Sequence, residues 1–516
     1  GESRGRMCSY RVGGYGRFGA LRQLVEMGRA QDLETFQAAL ALQQIPCFHV
    51  VYADRGGNIF YLYNAVVGDK ATVPPQSPGD DESTIRIIDW NQPVPGENLL
   101  YAWGDIVPIT ALPAVTNPAT GYLQACGNPP WLATDDSGIE PAALPPWFAL
   151  DEDSYRARRA RQLLRIGARS FDEMQSMLYD ALTPFALEAV PALLDAARQH
   201  EDFVAQAHPD LPVGLELLRS WSYTAEPSAA GMTFFHVWWL LLQDAAGAHF
   251  RSPVPLMDAV TARVPELQEL SLRAADEAAR RMRNEYQDLA VPWGDVHRIR
   301  RGEREEALPG APSGEPLFFT SDLRLENGRW TANYGYGFAM VVRFGETPEA
   351  VSVVPFGASE AADSEHYADQ LDLMLDRRFK PAHFRWDDVL RHARYGLGRQ
   401  IYLRPAGMDG EFLVRAPVPV RAGLEVMAEP PVPLPEGLGT FTVYAKLREA
   451  AETAAMAVEM RIRVPSEVCD PADLDELAVY ACDGTIWSRL DAQEFDPDSA
   501  TFSALGSNAT DAALKQ

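Results

Sequence analysis

The stretch TNPATGYLQACGNPPW, 116–131, sets one carboxamide among proline and glycine turns. Asn117-Pro118 and Gly121-Tyr122 precede Gly127-Asn128-Pro129-Pro130 at short, fixed spacing. Prolines on the C-terminal side restrict the backbone, so a side chain placed there has little freedom. A carboxamide N–H held rigidly beside a reacting carbonyl stabilises the oxyanion that forms on attack. Asn128 is therefore a candidate catalytic group, and an ordinary loop is the competing reading.

Other residues offer chemistry with a bland alternative beside it. His49 sits mid-strand in IPCFHVVYAD, next to Phe48, where a polar side chain needs a partner or a cavity; a satisfied structural histidine is the alternative. His236, inside FFHVWW, reads as a packed core histidine. The run RARRAR, 156–161, reads as a solvated helix face from which one member can turn inward to a carbonyl or carboxylate. The nine histidines include no pair at metal-ligand spacing, so no metal centre is expected. GYGRFG at 14–19 fits a dinucleotide-binding glycine pattern, yet only CSYRV precedes it, and no acidic residue closes a second strand about twenty residues on. A flexible chain start accounts for it better. Removal of Met7 would give Cys8 a free α-amine as its own base; a plain thiol is the simpler account.

The chain that must position these groups has 516 residues, beyond the size at which one core stops growing, so two or more domains are expected. With 47% hydrophobic and 10% aromatic residues a large core can form. The 72 acidic and 46 basic side chains give a net charge of −26, which repels phosphate backbones and excludes nucleic acid as a partner. Cys8, Cys47, Cys126, Cys469 and Cys482 are scattered and odd in number, so they form neither a disulfide framework nor a zinc site; only Cys469 and Cys482 are placed to pair. FFHVWWLLL, 234–242, is half the length of a bilayer span and ends at Gln243-Asp244, so no membrane span is expected. The opening GESRGRM carries no apolar leader and suggests a processed chain or a fragment.

Periodicity predicts a helix over 27–44 with Asp32 placed to cap, then a hairpin, IPCFHVVYAD and IFYLYNAVV around Gly-Gly-Asn, apolar on both faces and so buried between layers. Proline-rich loops fill 68–150. Helices follow from Asp153, with Ser170 and Glu173 spaced as a capping box, Thr183-Pro184 as cap and first-turn proline, and further helices over 229–246 and 256–289. Strands return at WTANYGYGFAMVVRF and EAVSVVPFG, then a helix from about Asp369. The expected class is α+β, divided into 1–150, a helical region 151–290, returning strands 291–404, an appended β domain 405–497 and a disordered tail 498–516.

In order along the chain, RAQDLETFQAAL, VVYADRGGNIFY, VPG, WGDIVPITALPAVTNPATGYLQACGNPPW, an arginine-bearing helix, YGYGFAMVVRF, PFGAS and SEHYADQLDLM are similar to the penicillin acylase family of N-terminal nucleophile hydrolases, from Met27 to Ile401. The resemblance implies an αββα sandwich, here partial, and hydrolysis of the amide of a small acylated amine such as a β-lactam, an acyl-homoserine lactone or a lipopeptide. It implies a serine exposed by self-cleavage, whose α-amine acts as base, and an asparagine carboxamide with backbone N–H groups as oxyanion donors. Strict register puts Gly127 at the oxyanion asparagine, and Asn128 reaches that place only if the loop slips by one residue. His49 stands where the family has asparagine, Lys70 falls near a usual arginine, and Arg156 matches the arginine close to the nucleophile. The resemblance also implies a longer segment, carrying the serine, ahead of Gly1. The expectation is an acylase whose nucleophile comes from that segment or from a second acylase chain; the alternative is a degenerate homologue serving as a binding or scaffold subunit. Phe48, His49, Val50 and Trp131 would line the acyl pocket, with the helices of 153–289 as support. No cofactor is expected, calcium having no support in ligand spacing, and the resemblance implies a periplasmic or secreted protein.

Overall fold

The computed structural model describes residues 2–3, 6–7, 9–70, 88–90, 92–148, 150–167, 170–246, 249–250, 252–312, 319, 321–326, 328–335 and 337–392, and beyond them the strands between 396 and 515. Cys8 and Cys469 lie outside the described residues. The chain divides into two compact units, 1–346 with 351–380, and 347–350 with 381–516. The boundaries expected near 150 and 290 fall inside the first unit, because its segments share packing: Trp330 joins the helical core, and Tyr179 packs with Ile299 and Phe319.

In the first unit Glu2–Ser3 (β1) pairs with Arg6–Met7 (β2). The one helix expected over 27–44 is two, Ala20–Arg29 (α1) and Leu33–Leu40 (α2). Ala30 leaves helical geometry with ψ 134°, and extended Asp32 starts α2. Its carboxylate accepts from the Thr35 N–H while the Thr35 hydroxyl accepts from the Asp32 N–H. The hairpin forms as read: His49–Ala53 (β3) and Ile59–Tyr63 (β4) are antiparallel, and Asp54 closes the turn by accepting from the Asn58 N–H. Ala114–Thr116 (β5) adds to the far side of β4. Burial on both faces is realised only in β4. Phe60 and Leu62 pack with Leu40, Leu112 and Trp147, and Tyr61 packs with Val115 and Ala133. The β3 strand lies at the edge of its sheet, and Val51 is 48% exposed.

Helices then accumulate: Tyr155–Leu164 (α3), Phe171–Met177 (α4), Pro184–Gln199 (α5), Glu201–Gln206 (α6), Leu211–Ser220 (α7), Ala230–Ala246 (α8), Pro253–Thr261 (α9), Pro265–Tyr286 (α10) and Trp293–Val296 (α11). Ser170 and Glu173 form the expected capping box. Thr183 makes no capping hydrogen bond, although Pro184 does open α5. The helix expected over 256–289 is split at Arg263, whose φ is 56°, just before Pro265. Phe185, Phe235, Trp238, Trp239 and Leu242 form the centre of this core, and α8 is buried nearly all round. No described helix is long and apolar enough to cross a membrane. His297–Arg301 (β6), Arg304–Ala307 (β7), Ser321–Glu326 (β8) and Arg329–Gly335 (β9) form a sheet in the order β7-β6-β9-β8. Ala339–Arg343 (β10), Glu349–Val353 (β11), the short helix Leu371–Leu375 (α12) and Lys380–Pro381 (β12) follow.

The second unit holds Trp386–His392 (α13) and an antiparallel sheet of Gly396–Leu403 (β13), Gly410–Met427 (β14), Phe441–Arg448 (β15), Ala457–Arg463 (β16), Ala478–Cys482 (β17), Trp487–Arg489 (β18), Ala492–Asp496 (β19), Thr501–Ser507 (β20) and Asp511–Lys515 (β21). The tail expected to be disordered instead supplies β20 and β21. Their small residues pair because the backbones of β16, β19, β15 and β17 offer partners on both sides. The whole is a mixed helix and sheet protein, as the α+β reading holds.

Candidate active site

Four segments enclose a cleft of about 560 Å³: the turn at Val12-Gly13, the edge of the β3–β4 ribbon, Trp103, and 147–151. This volume suits a small organic molecule. Pro46, Phe48, Tyr63, Trp147 and Phe148 make the walls apolar, with Lys70, Asn64, His49 and Asp151 as polar groups. Gly13 and Gly14, the second of them opening GYGRFG, serve this packing. A Cβ on Gly13 would lie 2.1 Å from the Val66 carbonyl oxygen, and one on Gly14, where φ is 78°, would lie 2.5 Å from Pro46. Close approach to the Val66 carbonyl and to Pro46, not a phosphate cradle, therefore explains Gly13 and Gly14. Asn64 donates to the carbonyls of Ile45 and Cys47. Directly after Cys47, Phe48 adopts φ 85° and is 73% exposed at the rim, a conformation that costs about 1–3 kcal/mol and persists only where its surroundings fix it.

His49 bridges two elements. Its Nε2 lies 3.0 Å from Asp151 Oδ2 and its Nδ1 lies 2.5 Å from Tyr61 Oη. A carboxylate only accepts, so Nε2–H donates to Asp151, and in the neutral ring Nδ1 accepts from the Tyr61 hydroxyl. Burial, with the Asp151 charge, pushes the Tyr61 hydroxyl upward in pKa and keeps it a donor. Tyr63 stacks on Phe148 with ring centres 5.4 Å apart, a second tie between the ribbon and 147–151. Lys70 Nζ stands over Trp90, Trp103 and Trp147 at 5.1, 4.9 and 5.8 Å from the ring centres. Burial holds its pKa below the ordinary lysine value.

The 116–131 bend is tied to the ribbon by Asn117, whose side chain accepts from the Ile59 N–H. Asn128 is buried, and its carboxamide serves its own loop: Oδ1 accepts from the Cys126 N–H at 2.9 Å and Nδ2 donates to the Pro129 carbonyl at 3.0 Å. Gly127 adopts φ 77° and faces α3, where a Cβ would lie 3.3 Å from Ser154 Oγ and 3.7 Å from Arg156 Nη2. Arg156 donates from Nε to the Cys126 carbonyl at 3.3 Å. Burial raises the Cys126 thiol. Of the arginines on and beside α3, Arg158, Arg159, Arg161 and Arg165 pair with Asp153 and Asp258, Asp180, Asp153 and Asp135. Arg156 has no carboxylate partner among the described residues and turns to the Cys126 carbonyl, while Arg158 adds the Asp153 carbonyl to its carboxylate partners.

Phe48 and His49 thus line the cleft. Val50 packs into the cluster beneath it with Leu40 and Phe60, while Asn128, Trp131 and Arg156 belong to the bend and to α3, outside the cleft lining. Sequence reasoning did not find Trp103, Trp147, Phe148 or Asp151. Their one signal was a scatter of aromatic residues through the proline-rich loops. No group of three metal-ligating side chains occurs among the described residues.

A ribbon with one buried strand, a proline-bounded bend and an aromatic cleft with few polar groups make up this region. The chain belongs to the penicillin amidase family, whose model matches residues 14–391. Among solved structures it is similar to the thermostable penicillin G acylase from Alcaligenes faecalis in its orthorhombic form, at 17% identity over 72% of this chain and 71% of that one, with a TM-score of 0.43. Family membership supports an amidohydrolase of the acylase type.

Proposed function

We propose that this protein hydrolyses the amide of a small acylated amine and that the aromatic cleft beside β3 takes the acyl group. The observation that carries the proposal is the cleft itself: Phe48, Tyr63, Trp147 and Phe148 give it apolar walls, within the span that matches the family. The attacking hydroxyl is a serine supplied by a preceding segment or a second acylase chain, with its own α-amine as base. Asn128 holds the bend, and Arg156 positions it by donating to the Cys126 carbonyl. Oxyanion donors are then backbone N–H groups and not the Asn128 carboxamide, whose Nδ2 points at Pro129. The αββα sandwich and a location in the periplasm or outside the cell belong to the same proposal.

The test expresses the whole reading frame and follows release of 4-nitroaniline from phenylacetyl and hexanoyl 4-nitroanilides. The expected result is hydrolysis that disappears when the first serine of the mature active chain is changed to alanine. A folded protein that binds these amides and releases no nitroaniline would instead favour a binding subunit.

A further inference from the structure

Asp151 sets a carboxylate in the wall of the cleft, and a relay of two other side chains holds it there. The Tyr61 hydroxyl donates to His49 Nδ1, and His49 Nε2–H donates to Asp151 Oδ2 at 3.0 Å. Asp151 Oδ1 has no hydrogen-bond partner, and no lysine or arginine pairs with Asp151, among the described residues. The side chain is half-exposed, so one oxygen is left to accept from an occupant of the cleft. A row of rings separates this carboxylate from Lys70. Lys70 Nζ lies 5.8 Å from the Trp147 ring, the centres of Trp147, Phe148 and Tyr63 follow at 4.9 and 5.4 Å, and Tyr63 lies 5.7 Å from the His49 ring. The cleft therefore has a positive end, where Lys70 and Arg11 stand over Trp103, and a negative end at Asp151. An ammonium on an occupant is repelled from the first end and accepted at the second. Aromatic faces attract a cation and disfavour an anion, and a net charge of −26 adds attraction at long range. The matching ligand is an apolar body that carries an amine.

We infer that Asp151 is a specificity-determining residue, receiving an ammonium carried by the acyl part of the amide. The inference rests on the proposed acylase reading, which puts the acyl group in this cleft, and narrows its substrate class. It is tested with the full-length protein by calorimetry and tryptophan fluorescence. The ligands are hexananilide, 6-aminohexananilide and 3-aminohexananilide, with the ammonium at the end of the acyl chain or near its carbonyl, and adipic acid monoanilide as the anionic counterpart.

At least one of the two amines should bind about fivefold or more tightly than hexananilide, the scale of an ion pair that water still reaches. Adipic acid monoanilide should bind more weakly than that amine. Asp151→Asn keeps an oxygen for His49 Nε2–H and removes the charge, so it should bring the amines down to the level of hexananilide. Equal binding of the amines and hexananilide by the unaltered protein overturns the inference whether or not the variant folds. So does a preference for adipic acid monoanilide over both amines, which would make Lys70 the deciding charge. A loss in Asp151→Asn as large for hexananilide as for the amines also overturns it, and would make Asp151 only a tie to His49. Cleavage of the corresponding 4-nitroanilides at equal kcat/KM with and without the amine sinks the role of Asp151 and leaves the acylase reading standing. Tighter binding of an amine that is lost in Asp151→Asn, without release of nitroaniline, does the reverse.

Discussion

At the scale of single residues, the decisive question is where each polar atom finds its partner. Asn128 answers it locally. At 1% exposure its carboxamide accepts from the Cys126 N–H and donates to the Pro129 carbonyl. Both contacts lie within two residues, so the side chain acts as a staple for the bend that carries Gly127 at φ 77° against α3. Asn128→Ala leaves the half-buried Cys126 N–H and the buried Pro129 carbonyl without those partners, and a buried unpaired group costs about 1–3 kcal/mol. Asn128→Asp keeps the acceptor but turns a carboxylate toward the Pro129 carbonyl, so it should not restore stability. The expected outcome is a lower thermal midpoint for both variants, with Asn128→Ala losing about 1–3 kcal/mol. A midpoint unchanged in Asn128→Ala would return the carboxamide to the list of free catalytic donors. His49 differs from Asn128 in reach, since its two ring nitrogens join Tyr61 in β4 to Asp151 at the entry to α3.

At the scale of elements, close approach of helices sets the outcome more than helix propensity. In α7, Gly214 lies under Phe234 of α8, and a Cβ there would stand 2.3 Å from the ring. Phe234 is fully buried and has nowhere to swing. Replacing glycine by alanine normally favours a helix by roughly 0.8–1.0 kcal/mol, whereas overpacking a core costs about 1–3 kcal/mol. The overpacking wins, so Gly214→Ala should destabilise. Gly28 in α1 is the control, because a Cβ there meets nothing within 4 Å; Gly28→Ala should stabilise by about 0.5–1 kcal/mol. Urea unfolding of the two variants decides the matter, and a shift of the same sign in both would refute the argument. Local chemistry of this kind is what the sequence made legible: Asp32 and Ser170 as caps, the Gly-Gly-Asn turn, and the strand pair on either side of it. Breaks in helices were not legible, since the apolar spacing runs on through Ala30 and Arg263 while backbone angles there do not. Nor was the cleft. Gly13, Lys70, Trp103, Trp147 and Asp151 meet through tertiary packing of loops that have no periodicity to record it. Lys70 and Arg156 were singled out by resemblance and not by pattern.

At the scale of the molecule, the largest core carries two buried histidines, and this fixes how the protein responds to acid. His236 packs edge-on against Trp293 and Trp330, with ring centres 5.2 and 4.8 Å away, and His297 stacks on Trp293 at 4.6 Å. Burial lowers the pKa of His236 to about 3, helped by His297, and burial lowers that of His297 to about 4 against the bond to the Leu308 carbonyl. Both values lie below the 6.5 of an unfolded histidine, so each ring is neutral in the fold and protonation favours the unfolded chain. Stability is therefore fully present above pH 6.5 and falls as the pH drops toward 4 and 3. By about pH 5 the loss is on the order of 2 kcal/mol for each ring. The carboxylate pairs behave differently. Asp135, held down to about 2 by the Arg165 guanidinium, loses its contribution only as the pH falls from 3.8 toward that value. Acid unfolding should thus begin in the helical core, well before the surface ion pairs are titrated. Urea midpoints measured between pH 7.5 and 4.5 should decline for the unaltered protein. His236→Leu should begin lower, having lost the ring's packing, and decline less steeply by roughly 2 kcal/mol between pH 7 and 5. Parallel curves for the two proteins would mean that the buried ring is not the group being protonated.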